Sequence, residues 1–506
     1  METAINTNFM AEISEEDWAN TPESVKKLVG KLLERIRVLE EGYEHLKEQV
    51  RQNSQNSSTP PSQAQLKGSK VKNKAKSNKK RGAQPGHPGH QQKLYPPEQC
   101  KAIEDHYPDQ CCECGHPLSG QDAVPPLRIQ IIDIPPLKPE VIEHRFHAKE
   151  CPCCGVITRA HDADIIDGSR YGERLCALVG LLCGEYRQSH RMVMKLLSEL
   201  FDIEISVGSV GNLRQEISEA VAEPVAEAHD YVQKQAHVNM DETSFSQGNA
   251  DGQNPKKTKG WLWVIVTPLV YYFQVILSRS KAAAQAMLGG IFQGTVNSDR
   301  CPSYNWLDTE QRQVCWSHLK RDFTKISERE DPKSSQLGKD LLGVEKKLFE
   351  LWYQVRDGTL SRKEFILAVA PLRQQVKDLL SETAAWELPK GDKSSWAKTV
   401  RTCRELLKIE PAMWLFVSTE GVEPTNNAAE QAIRPAVLWR RCSYGSQSAA
   451  GSLFVGRMLT VVATLRAQKR NVMHYLTEAC RAKRQGKPAP SLLPYPGLLN
   501  TLLVIP

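Results

Sequence analysis

The sequence of 506 residues has no long hydrophobic run: its most apolar stretch, Trp261 to Leu277, is broken by Thr267, Pro268 and Gln274. That is short of the ~20 apolar residues needed to cross a bilayer, so no membrane partner is expected. A secretory signal is also lacking, because Met1 to Trp18 is acidic and has neither a basic region nor an apolar core. Without that signal, the fourteen cysteines are expected in the cytoplasm as thiols or metal ligands and not as disulfides. Neither sign of charge dominates, with 66 Lys and Arg against 59 Asp and Glu. Charged residues at 25% and hydrophobic residues at 40% are ordinary for a globular chain and exclude disorder throughout. The length allows about three to four domains.

The charge is unevenly spread. Residues 67–81 hold eight Lys or Arg and no acid, after a polar NSQNSSTPPSQAQ segment. Such a run cannot bury enough apolar surface to offset its ordering entropy, which predicts a flexible cationic linker. It can serve as a solubilising tether, or it can neutralise phosphates and release their counterions. Before it, Val25, Val29, Leu32, Ile36, Leu39, Tyr43, Leu46 and Val50 recur at spacings of 4 and 3. This is the seam of a coiled coil, and its β-branched and Leu positions favour a parallel dimer; a short amphipathic helix packed on its own chain is the plainer use.

Two cysteine pairs follow, Cys111 with Cys114 and Cys151 with Cys154, separated by 36 residues with strand-like alternation (RIQIIDI, EVIEHRF). Two such pairs suit one tetrahedral structural zinc. Cys112 and Cys153 leave the ligand choice open, and His144 and His147 are possible substitutes. Residues 169–235 have helical periodicity, and SHRMVMKLLSELFDIEISVGSVGNLRQEI reads as helix, turn, helix. A helix-turn-helix and an ordinary helix pair share that pattern.

From 237 the period changes to strands: HVNMDETSF, KGWLWVIVTP and LVYYFQVILS, then a helix KAAAQAMLGG, then GTVNSD. Three strands, a helix and a fourth strand, with Asp241 and Asp299 near the ends of the first and fourth, is the order of a ribonuclease-H-like mixed sheet. Two adjacent carboxylates are held together most readily by a divalent cation, and Mg²⁺ favours few carboxylates plus phosphate oxygens. Glu430 in EPTNNAAEQAIRP is the best third acid, with Arg434 one helical turn along for a phosphate. Asn427 three residues before Glu430 also fits a capping box, and a lone Asp at a strand end is commonly a turn residue.

These segments, in this order, carry a resemblance. NSSTPPS at 56–62, RGAQPGHPG at 81–89, the cysteine pairs, VNMDET at 238–243, NSDRCPSY at 297–304, CWSHLKRDF at 315–323 and TNNAAEQAIRP at 425–435 resemble transposases of the insertion sequence 66 family. The resemblance implies an Asp-Asp-Glu triad at Asp241, Asp299 and Glu430 that binds two Mg²⁺ or Mn²⁺ ions, which would lie ~3.5–4 Å apart and clamp a phosphoryl transfer. It further implies double-stranded DNA partners (terminal repeats and target), a homodimer or higher oligomer, possible accessory proteins of the same element, and a bacterial cytoplasmic, nucleoid-associated location.

The fold class it implies is multidomain α/β. The order is an N-terminal helix or coiled coil (1–53), a basic linker (54–98), a small zinc-binding β domain holding one structural zinc (99–165) and a helix-turn-helix-like region (166–235). A ribonuclease-H-like core (236–324 and 421–470) follows, interrupted by a helical insertion (325–420), and then a C-terminal tail (471–506). Cys315 and His318 resemble a motif found after the second acid in transposases with insertions; a pair of strand residues is the alternative. After the Glu helix this chain has RRCSYGSQSAAGS where the family carries a run resembling RKNWLF-G-S, which leaves Arg440, Arg441 and Tyr444 as candidate DNA contacts. Two rival functions stay open: a zinc-containing DNA-binding protein without activity, either a regulator or an inactive relic, and a nuclease that cuts but never joins.

Overall fold

The computed structural model describes residues 14–52, 56, 93–161 and 170–495, so the basic run at 67–81 lies outside the described residues. The chain divides into a large unit (Met1–Val71, Asp162–Val193, Val207–Pro506) and a small one (Lys72–His161, Met194–Ser206). A short helix α1 (Glu15–Asn20), capped by the Ser14 side chain, leads into α2 (Glu23–Arg51), one continuous helix of 29 residues. Gly30 and Gly42 do not break α2. Val25, Leu32, Ile36, Leu39, Tyr43, Leu46 and Val50 of the seam are all exposed.

In the small unit the expected RIQIIDI and EVIEHRF strands form no ladder. Leu127, Ile129, Ile131 and Val141 are each more than three-quarters exposed, with Ile131 at 92%. Alternation needs a facing layer to become a sheet, and no described residue covers these side chains. The ladder that does form is β1 (Ala148–Glu150) against β2 (Ile157–Arg159), antiparallel around the second cysteine pair.

Four helices precede the sheet: α3 (Glu173–Cys183), α4 (His190–Phe201), of which the part from Met194 belongs to the small unit, α5 (Val207–Ala220) and α6 (Ala222–Val232). Gly180 is required where α3 meets α5, because a Cβ there would lie 2.8 Å from Ile217 Cγ2. A mixed five-stranded sheet follows: β3 (His237–Ser244), β4 (Trp261–Val266), β5 (Tyr271–Ile276), β6 (Thr295–Ser298) and β7 (Arg312–Val314), in the order β5-β4-β3-β6-β7. The first three strands are antiparallel, and β6 and β7 join in parallel. β4 is the apolar run WLWVIV, buried from Leu262 to Val266, the pattern of a strand covered on both faces. Between β5 and β6 runs α7 (Lys281–Leu288), started by the Ser280 cap and stopped by Gly289 at φ 78°.

Cys315 and His318 are not a pair of strand residues. β7 ends at Val314, Cys315 stands at the N-cap, and α8 (Trp316–Ser327) places His318 in its first turn. The segment up to residue 420 is helical, with α9 (Pro332–Arg356), α10 (Arg362–Ala384) and α11 (Ser395–Lys408). Asp331 caps α9, and a capping box of Ser361 and Glu364 starts α10. Trp316, Leu319, Phe323, Leu341, Leu348, Trp352, Phe365 and Phe416 share one buried cluster with Val314 of the sheet, so this helical layer is packed continuously onto β7.

The chain returns through α12 (Asn427–Ala432) and α13 (Arg434–Ser443) to α14 (Ala449–Ala467). α14 is long and apolar enough to cross a membrane, but 67% of it is buried and it closes the sheet edge. Thr464 and Thr460 hydroxyls accept from the outward amides of Tyr271 (3.0 Å) and Phe273 (2.9 Å) on β5. The unpaired donors of an edge strand are thereby satisfied. Residues 472–484 of the expected tail fold as α15 (Val472–Arg484), whose Arg484 binds Glu216 at 2.7 Å and Glu173 at 3.2 Å.

Candidate active site

The register of β3 with β6 pairs Asn239 with Asn297. Asp241 follows two residues further along β3, and Asp299 stands one residue past the end of β6, so the two acids leave the paired part of neighbouring parallel strands at the same end. Asp241 Oδ1 accepts from the Glu242 amide at 2.8 Å, and Asp299 Oδ1 accepts from the Cys301 amide at 2.8 Å. Removal from water, followed by the charges of Asp299, Glu242 and Glu430, holds the Asp241 carboxyl well above the ordinary carboxylate range.

The third acid arrives on a helix tied to the same strands. Asn426 at the N-cap of α12 donates from Nδ2 to Met240 O on β3 (2.6 Å), and its own amide donates to Cys315 Sγ (3.1 Å). Asn297 Nδ2 on β6 donates to Glu423 O (2.8 Å) and Thr425 O (3.1 Å). Asn427 is the first helical residue, and the Asn426 N-cap makes no side-chain cap bond, so Glu430 is not spent on a capping box. Its Oε1 lies 3.5 Å from His318 Nδ1 and its Oε2 3.8 Å from Arg321 Nη2, while Arg321 Nη1 stands 3.2 Å from His318 Nε2. Burial pulls the His318 pKa down, with Asp299 pulling it up.

Donor atoms converge within 4.8 Å in two sets among the described residues: Glu242 with Asp299 and Cys301, and Cys315 with His318 and Glu430. Asp241, Asp299 and Glu430 are not drawn that close as a set. The chemistry around them nevertheless suits a hard cation. Asn239 Oδ1, Asn297 Oδ1, Asn426 Oδ1 and Glu430 Oε1 are buried oxygens without a hydrogen-bond partner, and oxygen lone pairs are what Mg²⁺ takes.

Several residues here escaped sequence reasoning. Glu242 is buried, accepting from Arg279 Nε at 2.8 Å and from the Tyr304 hydroxyl at 2.5 Å. A readable sign existed: with Val238 and Met240 it falls on the inward side of the β3 alternation. Arg312, also buried, donates to the Asp299 carbonyl at 2.8 Å and to Asn305 Oδ1 at 2.9 Å, fixing the turn that carries Asp299. Nothing in the local pattern marked it.

Arg434 opens α13 and is exposed; Ile433, between its helix and that of Glu430, keeps helical backbone angles, donating to Ala429 O at 3.0 Å and accepting from Val437 N at 3.1 Å. Arg440 does not face solvent freely. Its Nη1 donates to Ser244 O at 2.7 Å and Thr243 Oγ1 at 3.0 Å, anchoring α13 to the end of β3. Tyr444 is 85% exposed at φ 58°, and Gly445 is required beside Ser246 O. Ser446 and Gln247 then form an isolated parallel bridge, which ties the turn between α13 and α14 to the segment after β3.

In the small unit each cysteine pair forms a tight knuckle. Cys111 N donates to His116 O and Gly115 N to Cys111 O; Cys151 N donates to Val156 O and Gly155 N to Cys151 O. Gly115 and Gly155 have φ of 69° and 71°, which glycine adopts without strain. Amide donors from Cys114 and Glu113 hold the Cys111 thiol below its usual range, and those of Cys153 and Cys154 do the same for Cys151. Thiolate-favouring loops of this kind suit a metal.

Against known proteins, the "Transposase IS66 family" model matches residues 168–453, more than half of the chain. The chain belongs to this transposase family. The match spans the sheet, the helical layer and α12, and so includes both aspartates and Glu430. A family of unknown function matches residues 12–93. A relative from Sinorhizobium fredii (strain NBRC 101917 / NGR234), named "Uncharacterized protein y4qI", is 24% identical over 423 residues, covering 77% of this chain and 73% of its own length. Family membership carries divalent-metal use and DNA binding.

Proposed function

We propose that the protein is a DNA transposase that cleaves the ends of its element and joins them to target DNA. The reading rests on one observation above all: Asp241 on β3 and Asp299, one residue past the end of the parallel neighbour β6, are close enough for their charges to interact, and the segment leading into the Glu430 helix is hydrogen-bonded to the same two strands through Asn426 and Asn297. We read this as a ribonuclease-H-like active site, in which Asp241, Asp299 and Glu430 would hold two Mg²⁺ or Mn²⁺ ions. Those ions supply Lewis-acid stabilisation of a phosphodiester and of its attacking and leaving oxygens. The chain's own part is to place and charge the site. Arg312 and Asn426 fix the Asp299 turn and the Glu430 helix, Glu242 adds negative potential, and Arg434 at the start of α13 is available for a phosphate.

The remaining parts serve DNA. Cys111, Cys114, Cys151 and Cys154 bind one structural zinc, the zinc domain and α4–α5 position terminal repeats, and the α2 seam pairs two protomers so that both ends are processed together. Asp241→Asn and Asp299→Asn should leave binding of terminal-repeat duplexes intact and abolish strand cleavage in Mg²⁺. Full cleavage by either variant would sink the assignment. A wild-type protein that footprints the repeats and never nicks them would make it a DNA-binding relic instead.

A further inference from the structure

A cavity of about 400 Å³ opens between α8, α9 and the 423–427 segment. It adjoins the candidate site through the chain: Ser317 in its wall precedes His318, and Asn427 opens the helix of Glu430. On α9 the wall residues Lys346, Phe349, Tyr353 and Arg356 are spaced 3, 4 and 3 apart, one stripe along the helix. The Phe349 and Tyr353 rings are 6.2 Å apart. Trp352, next in sequence, is 5% exposed and serves the core, whereas Tyr353 is 58% exposed. The Tyr353 ring is therefore surplus to packing.

The charge in this cavity decides what it can take. Lys320 Nζ donates to both Glu345 oxygens at 2.9 Å, and Lys346 lies 3.9 Å from Glu350; Arg356 is matched by Glu423 in the lining. Three cations against three acids attract no bare phosphate. A neutral, flat ring with donors and acceptors on its edge suits such a wall, with one face on an exposed tyrosine. Bases removed from a DNA stack have that chemistry, and stacking on an aromatic side chain is indifferent to which base it is.

We propose that this cavity receives one unstacked nucleobase of the DNA end undergoing cleavage, lodged against Tyr353 and Phe349. The proposal rests on the transposase reading, since the base belongs to the strand processed at Asp241 and Asp299. Holding one nucleotide out of the duplex bends the neighbouring backbone and fixes the distance from the stacked base to the reacting phosphate, which is how a remote binding contact becomes positioning at the chemistry.

The test uses the full-length protein and terminal-repeat duplexes with 2-aminopurine scanned through the nucleotides around the cleavage point. Fluorescence should change sharply at one position, and Tyr353→Ala with Phe349→Ala should remove the change and weaken binding by roughly tenfold, the scale of one aromatic–base stack. An abasic residue at that position should make Tyr353→Ala silent, a non-additivity that a general loss of structure cannot produce. The pocket assignment is overturned if no position responds, or if Tyr353→Ala weakens abasic and intact duplexes equally. Wild-type protein that cuts the ends with no responding position removes this inference alone, while failure to bind or cut any end fragment removes the transposase reading with it.

Discussion

Asp241 is the residue at which sequence, fold and chemistry meet. Folding holds its carboxyl above the ordinary range, so the folded chain binds more protons than the unfolded chain, whose aspartates titrate at about 3.9. Stability contributed at this residue is therefore lost as pH rises above that value. A divalent cation reverses the penalty by compensating the same charges and adds mass-action stabilisation. Metal-free Asp241→Asn should melt above the metal-free wild type at neutral pH, by an amount that shrinks toward pH 4. Mg²⁺ should raise the wild-type melting temperature more than that of the variant. Calorimetry across pH with and without Mg²⁺ checks both, and a wild-type-to-variant difference that ignores pH would mean that Asp241 is not the strained group. The two aspartates were legible because strand alternation located the strand ends and sheet order made the strands neighbours. Glu242, Arg279, Tyr304 and Arg312 were mostly not, because their contacts join β3 to turns at 279 and 304 that no periodicity ties together.

At the scale of elements, the sheet is positioned by what covers its edge. β5 would expose alternate amides, yet Thr460 and Thr464 of α14 accept from two of them. The close approach requires Gly456, where a Cβ would fall 2.8 Å from Phe273 O. Thr460→Val keeps the shape and strands the Phe273 amide, a loss of about 1–3 kcal/mol. Gly456→Ala should cost at least as much, because backbone must move. Urea denaturation should show both, with unchanged m-values; a neutral Thr460→Val would mean that the amide finds water. The capping signals of α7, α9 and α10 were readable from Ser280, Asp331, Ser361 and Glu364. Strands expected at RIQIIDI and EVIEHRF were not realised, since alternation records a preference for a two-faced surface and cannot supply the second layer.

For the molecule as a whole, two surfaces ask for something that one folded chain does not provide. Along α2 the apolar seam stands in solvent, where a second copy in parallel would bury it. Ile36→Asp with Leu39→Asp should convert a dimer to a monomer by sedimentation, leaving the melting of the sheet-bearing unit unchanged; wild-type protein that is already monomeric removes the pairing.

The small unit is the sharper case. With Leu127, Ile129, Ile131 and Val141 exposed, it has too little buried surface to hold itself together, and domains of this size lean on metals or disulfides for stability. The two knuckles have the left-handed glycines and the thiolate-favouring amides, but their thiols are not among the groups that converge within 4.8 Å. Closing all four thiols on one zinc would bring the knuckles together and give the intervening segments a fixed frame, so that binding free energy becomes folding free energy. The purified protein should therefore carry one zinc per chain by elemental analysis. Chelation or Cys151→Ser should make residues 93–161 rapidly cleavable by protease, and specific binding of terminal-repeat duplexes should fall with it. The sheet-bearing unit should keep its own thermal transition. A chain that binds no zinc, or whose residues 93–161 resist protease equally with and without it, would show that the cysteine pairs serve another purpose.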